Sequence, residues 1–99
     1  MSNIKKMHRE FVRSRLIANW SKLYLAVAFG GESGELLNVV KKEHRDKTEL
    51  RERIRSEGGD CLFYLVALLD KYALTLEDCM RANEEKLCDA NMQNFNFDS

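Results

Sequence analysis

The sequence predicts an all-α fold, a four-helix protomer in a single domain, on three observations. Its 99 residues include no proline, and its five glycines fall in two clusters, 30–34 and 58–59. The turn punctuation that an all-β chain needs is therefore missing. Apolar residues instead recur at spacings of three and four, the period of a helix face. With 44% hydrophobic residues, a chain of this length can build one core, and it often gains by oligomerising.

The first helix, predicted over residues 3–17, is traced by Ile4, Met7, Phe11 and Ile17, with Arg9, Arg13 and Arg15 on its other faces. Asn19 or Ser21 caps the second, predicted over 20–43. It opens with the run Leu23 to Phe29, passes the first glycine cluster and closes with Leu36, Leu37, Val39 and Val40 before the charged stretch 41–47. A helix that is apolar on nearly all sides at its start is expected to be buried on nearly all sides. Thr48 is the expected cap of the third helix, predicted over 48–72, which rises through Leu50 and Ile54 into Cys61 to Leu69. Nine consecutive apolar residues exceed what one small core covers, so a homodimer or homotetramer, an oligomeric bundle, is expected to bury the excess. Thr75 caps the fourth helix, predicted over 75–89, with Glu77 and Asp78 in the first turn where the helix dipole favours acids. The helical domain thus spans residues 1–90. The polar tail 91–99, with two isolated phenylalanines, is expected to be loose or to dock weakly.

Several classes are disfavoured. Residues 1–15 are too charged for a signal peptide, and the longest apolar run falls far short of the roughly 20 residues that span a bilayer. A soluble, cytoplasmic protein without a membrane partner is expected. Cys61, Cys79 and Cys88 are odd in number and lack C-x-x-C spacing, so neither a disulfide framework nor a zinc site is indicated. The formal net charge is zero, yet residues 1–56 carry 13 Lys and Arg against 7 Asp and Glu, a net of +6, and residues 57–99 carry 3 against 9, a net of −6. The two halves should attract. Zero net charge and the absence of a basic stripe with aromatics argue against a stable nucleic-acid partner. The basic residues between Lys41 and Arg55 suit a polyphosphate better, although most of them read as a solvated loop and helix start.

The chemistry lies in two carboxylate pairs. Glu32 and Glu35, like Glu57 and Asp60, stand three residues apart, one helical turn and so one face. Each pair is flanked by glycines that cost about 1 kcal/mol each relative to Ala in a helix interior. Close approach of another backbone or a ligand is the usual reason to keep them. Ala28, Gly31, Glu32, Glu35 and Lys42 share one side of the second helix, and Arg53, Glu57, Asp60 and Tyr64 one side of the third. Their short connection makes the two helices antiparallel neighbours, which lets four carboxylates converge with Arg53 and Lys42 nearby. Like charges about 5 Å apart repel by roughly 3 kcal/mol at an effective dielectric of 20, so such a cluster calls for divalent cations. All-oxygen ligation favours Mg²⁺, with Mn²⁺ as a substitute, and Mg²⁺ takes its remaining ligands from waters and phosphates. A single E-x-x-E pair is ordinarily a solvated face. Two such pairs, each beside glycine in an apolar context, reverse that expectation. A di-iron carboxylate bundle would need Glu-x-x-His pairs, and neither His8 nor His44 follows a glutamate at that spacing.

Gly31-Glu-Ser-Gly-Glu-Leu36 followed by Val39-Val-Lys-Lys42, then Glu57-Gly-Gly-Asp60 leading into an apolar run, then Asn83-Glu-Glu-Lys-Leu87, resembles the MazG-like branch of the all-α nucleoside triphosphate pyrophosphohydrolases. The resemblance covers about residues 20–88. It implies a four-helix protomer assembled as a dimer or tetramer, and Mg²⁺-dependent hydrolysis of a (deoxy)nucleoside triphosphate to monophosphate and pyrophosphate. Glu32, Glu35, Glu57 and Asp60 match the family's metal ligands, Arg53 a phosphate-contacting position, and Asn83 and Lys86 the substrate-side motif of the last helix. The implied mechanism is attack of metal-activated water on the α-phosphorus, with a glutamate accepting its proton. Arg53, Lys86 and Lys42 would offset phosphate charge. Trp20 and Tyr64 are candidates for the nucleobase side, against an equally weighted role in ordinary core packing. Two residues depart from the family pattern: Gly58 replaces a frequent leucine, and Ala90 stands where an arginine usually follows the lysine. The rival function is a non-catalytic helical module that binds nucleotide or protein, although a pure scaffold has no reason to gather four acids.

Overall fold

A computed structural model describes residues 3–15 and 20–89. Four helices make up its regular structure: α1 (Asn3–Arg15), α2 (Lys22–Asp46), α3 (Arg51–Asp70) and α4 (Leu76–Asp89). The all-α expectation holds. Residues 16–19 and 90–99, which include the predicted end of the first helix, Asn19, Ala90 and the polar tail, lie outside the described residues.

The helix ends are fixed by local chemistry. Ser21 caps α2, its hydroxyl accepting the Tyr24 N–H at 3.0 Å. The helix then runs three residues past the expected stop, until Lys47 turns left-handed at φ 57° and ends it. Thr48 is not the cap of α3. Its hydroxyl donates back to the Asp46 carbonyl at 3.2 Å, so it serves the turn instead, and α3 begins only at Arg51. At the true N-cap, Leu50, the backbone N–H is taken by the Glu43 carboxylate at 2.9 Å. The far end of α3 closes two residues early, with Leu74 N–H bonded to the Leu69 carbonyl, Ala73 N–H to Asp70, and Ala73 left-handed at φ 58°. That is a Schellman arrangement, carrying alanine where glycine is usual. Thr75 caps α4 as expected. Its hydroxyl accepts the Asp78 N–H at 3.1 Å while the Asp78 carboxylate accepts the Thr75 N–H at 2.9 Å, a reciprocal capping box.

Helices α2 and α3 form an antiparallel hairpin. The Lys22 ammonium sits over the Tyr72 ring at 4.3 Å at one end, the Cys61 thiol faces the Ser33 hydroxyl at 4.0 Å midway, and the Glu43 bond to Leu50 closes the turn. Helix α1 lies across α3, with Val12 in the core and Arg13 bound to Asp70 through contacts of 2.6–3.2 Å. Arg9 reaches Glu77 of α4 at 3.3 Å. Both ion pairs join the basic half of the chain to the acidic half, as the charge asymmetry requires.

The core is small. Val12, Leu25, Val66 and Ala67 are buried together, with Trp20, Phe63, Tyr64, Leu68 and Leu76 packed against them, and Val39 is buried further along α2. The start of α2 is not enclosed as expected: Leu25 is buried, but Leu23 is 74% exposed and Val27 66%. The stripe Ile4, Met7 and Phe11 that marks α1 is likewise its open side.

Candidate functional site

Along α2 the deepest line runs through Leu25, Glu32 and Val39, spaced by seven residues, two turns each. Leu25 and Val39 are fully buried, so Glu32 between them projects into the seam with α3 and is itself half-buried. Across the seam, Glu57 and Asp60 occupy consecutive turns of one face of α3. The hairpin brings Glu32, Glu57 and Asp60 together, with one carboxylate oxygen of each within 4.8 Å of the other two. Burial, and then the charges of Asp60, Glu57 and Glu35, push the Glu32 pKa above the ordinary carboxylate value. Among the described residues no lysine or arginine forms an ion pair with any of these four acids. Three oxygens converging without a countercharge fit a hard divalent cation.

Glu35 is the member of the expected quartet outside this convergence. It lies one turn beyond Glu32 but rotated away from the buried line and exposed, acting on Glu32 through its charge. Equal spacing in the sequence places the pair on one face. Which member points into the seam depends on where the partner helix lies.

The expected substrate residues divide. Arg53 is exposed one turn before Glu57, and Lys42 is half-buried two turns beyond Glu35. Both are on the hairpin that carries the acids. Tyr64 lies one turn beyond Asp60; burial, then Tyr24, Glu32 and Asp60, raise its phenol pKa above the ordinary value. The Trp20 and Tyr24 rings meet at a tilt of 46° with centroids 5.0 Å apart, and Trp20 packs against the core, as does Tyr64. Their core-packing role is thus present, and Tyr24 joins them as an aromatic that sequence reasoning passed over. Asn83 and Lys86 are exposed on α4. No described hydrogen bond or ion pair connects them to the acids, and Leu76 at the start of α4 lines a groove with Ile4, Lys5, His8 and Leu62. Leu62 follows Asp60 by two residues, which places that groove on the opposite face of α3.

A group of three carboxylates able to hold a metal ion thus lies in the middle of an antiparallel helical hairpin, in an all-helical protein. The sequence comparisons give the family. The chain belongs to the MazG nucleotide pyrophosphohydrolase domain family, whose profile matches residues 21–93. It is similar to the uncharacterized protein YvdC of Bacillus subtilis (strain 168), 27% identical over 100 residues that cover 88% of this chain and 92% of that protein. It is also similar to the gene 37 protein of Mycobacterium phage L5, 33% identical over 69 residues covering 65% of this chain and 60% of the phage protein. No solved structure gives a significant match.

Proposed function

We propose that this protein hydrolyses (deoxy)nucleoside triphosphates to the monophosphate and pyrophosphate with Mg²⁺, or Mn²⁺ in its place, as a housekeeping enzyme of the cytoplasmic nucleotide pool. The reading rests on one observation above the others: three carboxylates from α2 and α3 converge without a countercharge in a member of a pyrophosphohydrolase family. Glu32, Glu57 and Asp60 would hold the cation, with Glu35 beside them. When bound, the cation supplies positive charge against the phosphates and acidifies water. The protein's own groups do the rest. A glutamate of the cluster accepts the proton of the attacking water as the bond to the α-phosphorus forms and the pyrophosphate leaves. Arg53 and Lys42 lie along the hairpin where the β- and γ-phosphates would extend, and cations so placed matter most as charge builds in the transition state. The Trp20–Tyr24 pair and Tyr64 offer apolar surface to the base, whereas Asn83 and Lys86, exposed on α4 and unconnected to the acids, are given no role in this protomer. The exposed apolar side chains of α1 and α2 support a homodimer or homotetramer as the working form.

The test is pyrophosphate release from a panel of canonical and modified nucleoside triphosphates, with Mg²⁺ and with EDTA, for wild type and Glu57→Gln. The expected result is Mg²⁺-dependent formation of monophosphate that the substitution abolishes. A folded protein that binds nucleotide or Mg²⁺ but turns over none of the panel would instead be a non-catalytic binding module.

A further inference from the structure

On the face of α3 turned away from the acids, Ile4, Lys5, His8, Leu62 and Leu76 line an apolar groove of about 270 Å³. Drug-sized ligands fill pockets of roughly 300–1,000 Å³, so this one suits a single aromatic side chain. Ile4 is 72% exposed and Leu62 36%, so the helices themselves leave the groove uncovered. Its apolar surface continues onto α4, where Leu76, Met80 and Leu87 share one face. Met80 is 45% exposed, and every residue from Cys79 to Lys86 is exposed with it. Beyond α4 the chain reads Asn94-Phe-Asn-Phe97, a strict polar and apolar alternation. Such a segment, when extended, carries Phe95 and Phe97 on one side.

We propose that the chain's own C-terminal segment folds back along α4 and docks these two rings, Phe97 in the groove at Leu76 and Phe95 on Met80. The lengths agree. From Leu76 to Asp89 the helix rises about 20 Å at about 1.5 Å per residue. Extended chain from Asp89 to Phe97 reaches about 26–29 Å at roughly 3.3–3.6 Å per residue, which leaves two or three residues for the reversal. The register agrees as well. Phe95 and Phe97 stand about 7 Å apart along an extended segment, and Leu76 and Met80 about 6 Å apart, one turn of helix. Asp98 follows Phe97 directly and meets Lys5 at the rim of the groove. The tether selects this occupant over a separate molecule, because a segment joined by a short linker acts at an effective concentration in the mM range. The docked segment leaves Glu32, Glu57 and Asp60 open, so the proposal is independent of the hydrolase reading.

The test is NMR of the full chain with its Ile, Leu and Met methyl groups labelled. The Phe97 ring protons are expected to show nuclear Overhauser contacts to the Leu62 and Leu76 methyls, and the Phe95 ring protons to the Met80 methyl. Phe97→Leu should remove the ring-current displacement of the Ile4, Leu62 and Leu76 methyl resonances, with helicity by circular dichroism kept. Absence of the contacts in the wild type, or resonances that stay in place in the folded variant, overturns the proposal. Should the variant unfold, the wild-type contacts decide alone. A sample that mixes labelled with unlabelled chains identifies whose ring is docked. Contacts confined to one chain support the proposal, and contacts that cross between chains assign the groove to another copy's tail and overturn it.

Discussion

Glu32 is the residue on which the site turns, because it lies between the fully buried Leu25 and Val39 of its helix. Its place predicts an unequal dependence of the metal on the four carboxylates. In a Mn²⁺ titration, Glu32→Gln and Glu57→Gln should each weaken binding at least about tenfold, the loss that even outer-shell changes reach, with Glu35→Gln costing clearly less. Proton linkage gives a second expectation. The folded, metal-free protein binds the Glu32 proton more tightly than the unfolded chain does. Its contribution to stability is therefore full below the ordinary carboxylate pKa of about 4.3 and is lost as pH rises through the raised value. Mg²⁺ replaces the proton, so the rise in Tm on adding Mg²⁺ should be larger at pH 7.5 than at pH 5. Both acid pairs were legible in the sequence from their spacing and glycine context. The outward turn of Glu35 was not, because the angle at which α3 packs on α2 is a property of two helices together.

At the scale of the element, the ends of α3 and α4 show what local signals carry. Thr75 was readable as a cap because nothing competes for its hydroxyl except Asp78, which reinforces it. Thr48 looked equivalent and was not, because the Asp46 carbonyl claims its hydroxyl and the Glu43 carboxylate does the capping. Thr75→Ala should cost about 1 kcal/mol of stability, seen as a lower denaturation midpoint with an unchanged m-value. Ala73 is the opposite case, an alanine held at φ 58°. Ala73→Gly should stabilise by about 0.5–1 kcal/mol, since glycine adopts that conformation without the Cβ clash, and the same chevron or equilibrium measurement checks it.

The whole molecule is a firm hairpin with two lighter attachments. Helix α1 is fastened by Val12 and by the Arg13–Asp70 and Arg9–Glu77 pairs. The Arg13 guanidinium, through its hydrogen bonds and charge, lowers the Asp70 pKa against the opposing effect of burial. That stabilisation is present above the ordinary aspartate pKa of about 3.9 and is lost as pH falls through the depressed value. Acid should therefore loosen α1, and Asp70→Asn should remove that part of the acid transition in circular dichroism. The four helices and the antiparallel pairing of α2 with α3 were legible because periodicity and short connections are local. The exposed faces of α1 and α2 were not, since apolar residues in a sequence do not say whether their cover comes from the same chain. The hairpin has one more consequence, for the speed of assembly. All three converging acids come from the segment between residues 32 and 60, joined by a short turn, so the carboxylate cluster forms as soon as one local loop closes. Mg²⁺ present during refolding should then raise the folding rate itself, moving the left arm of the chevron, whereas a site completed late would only slow unfolding.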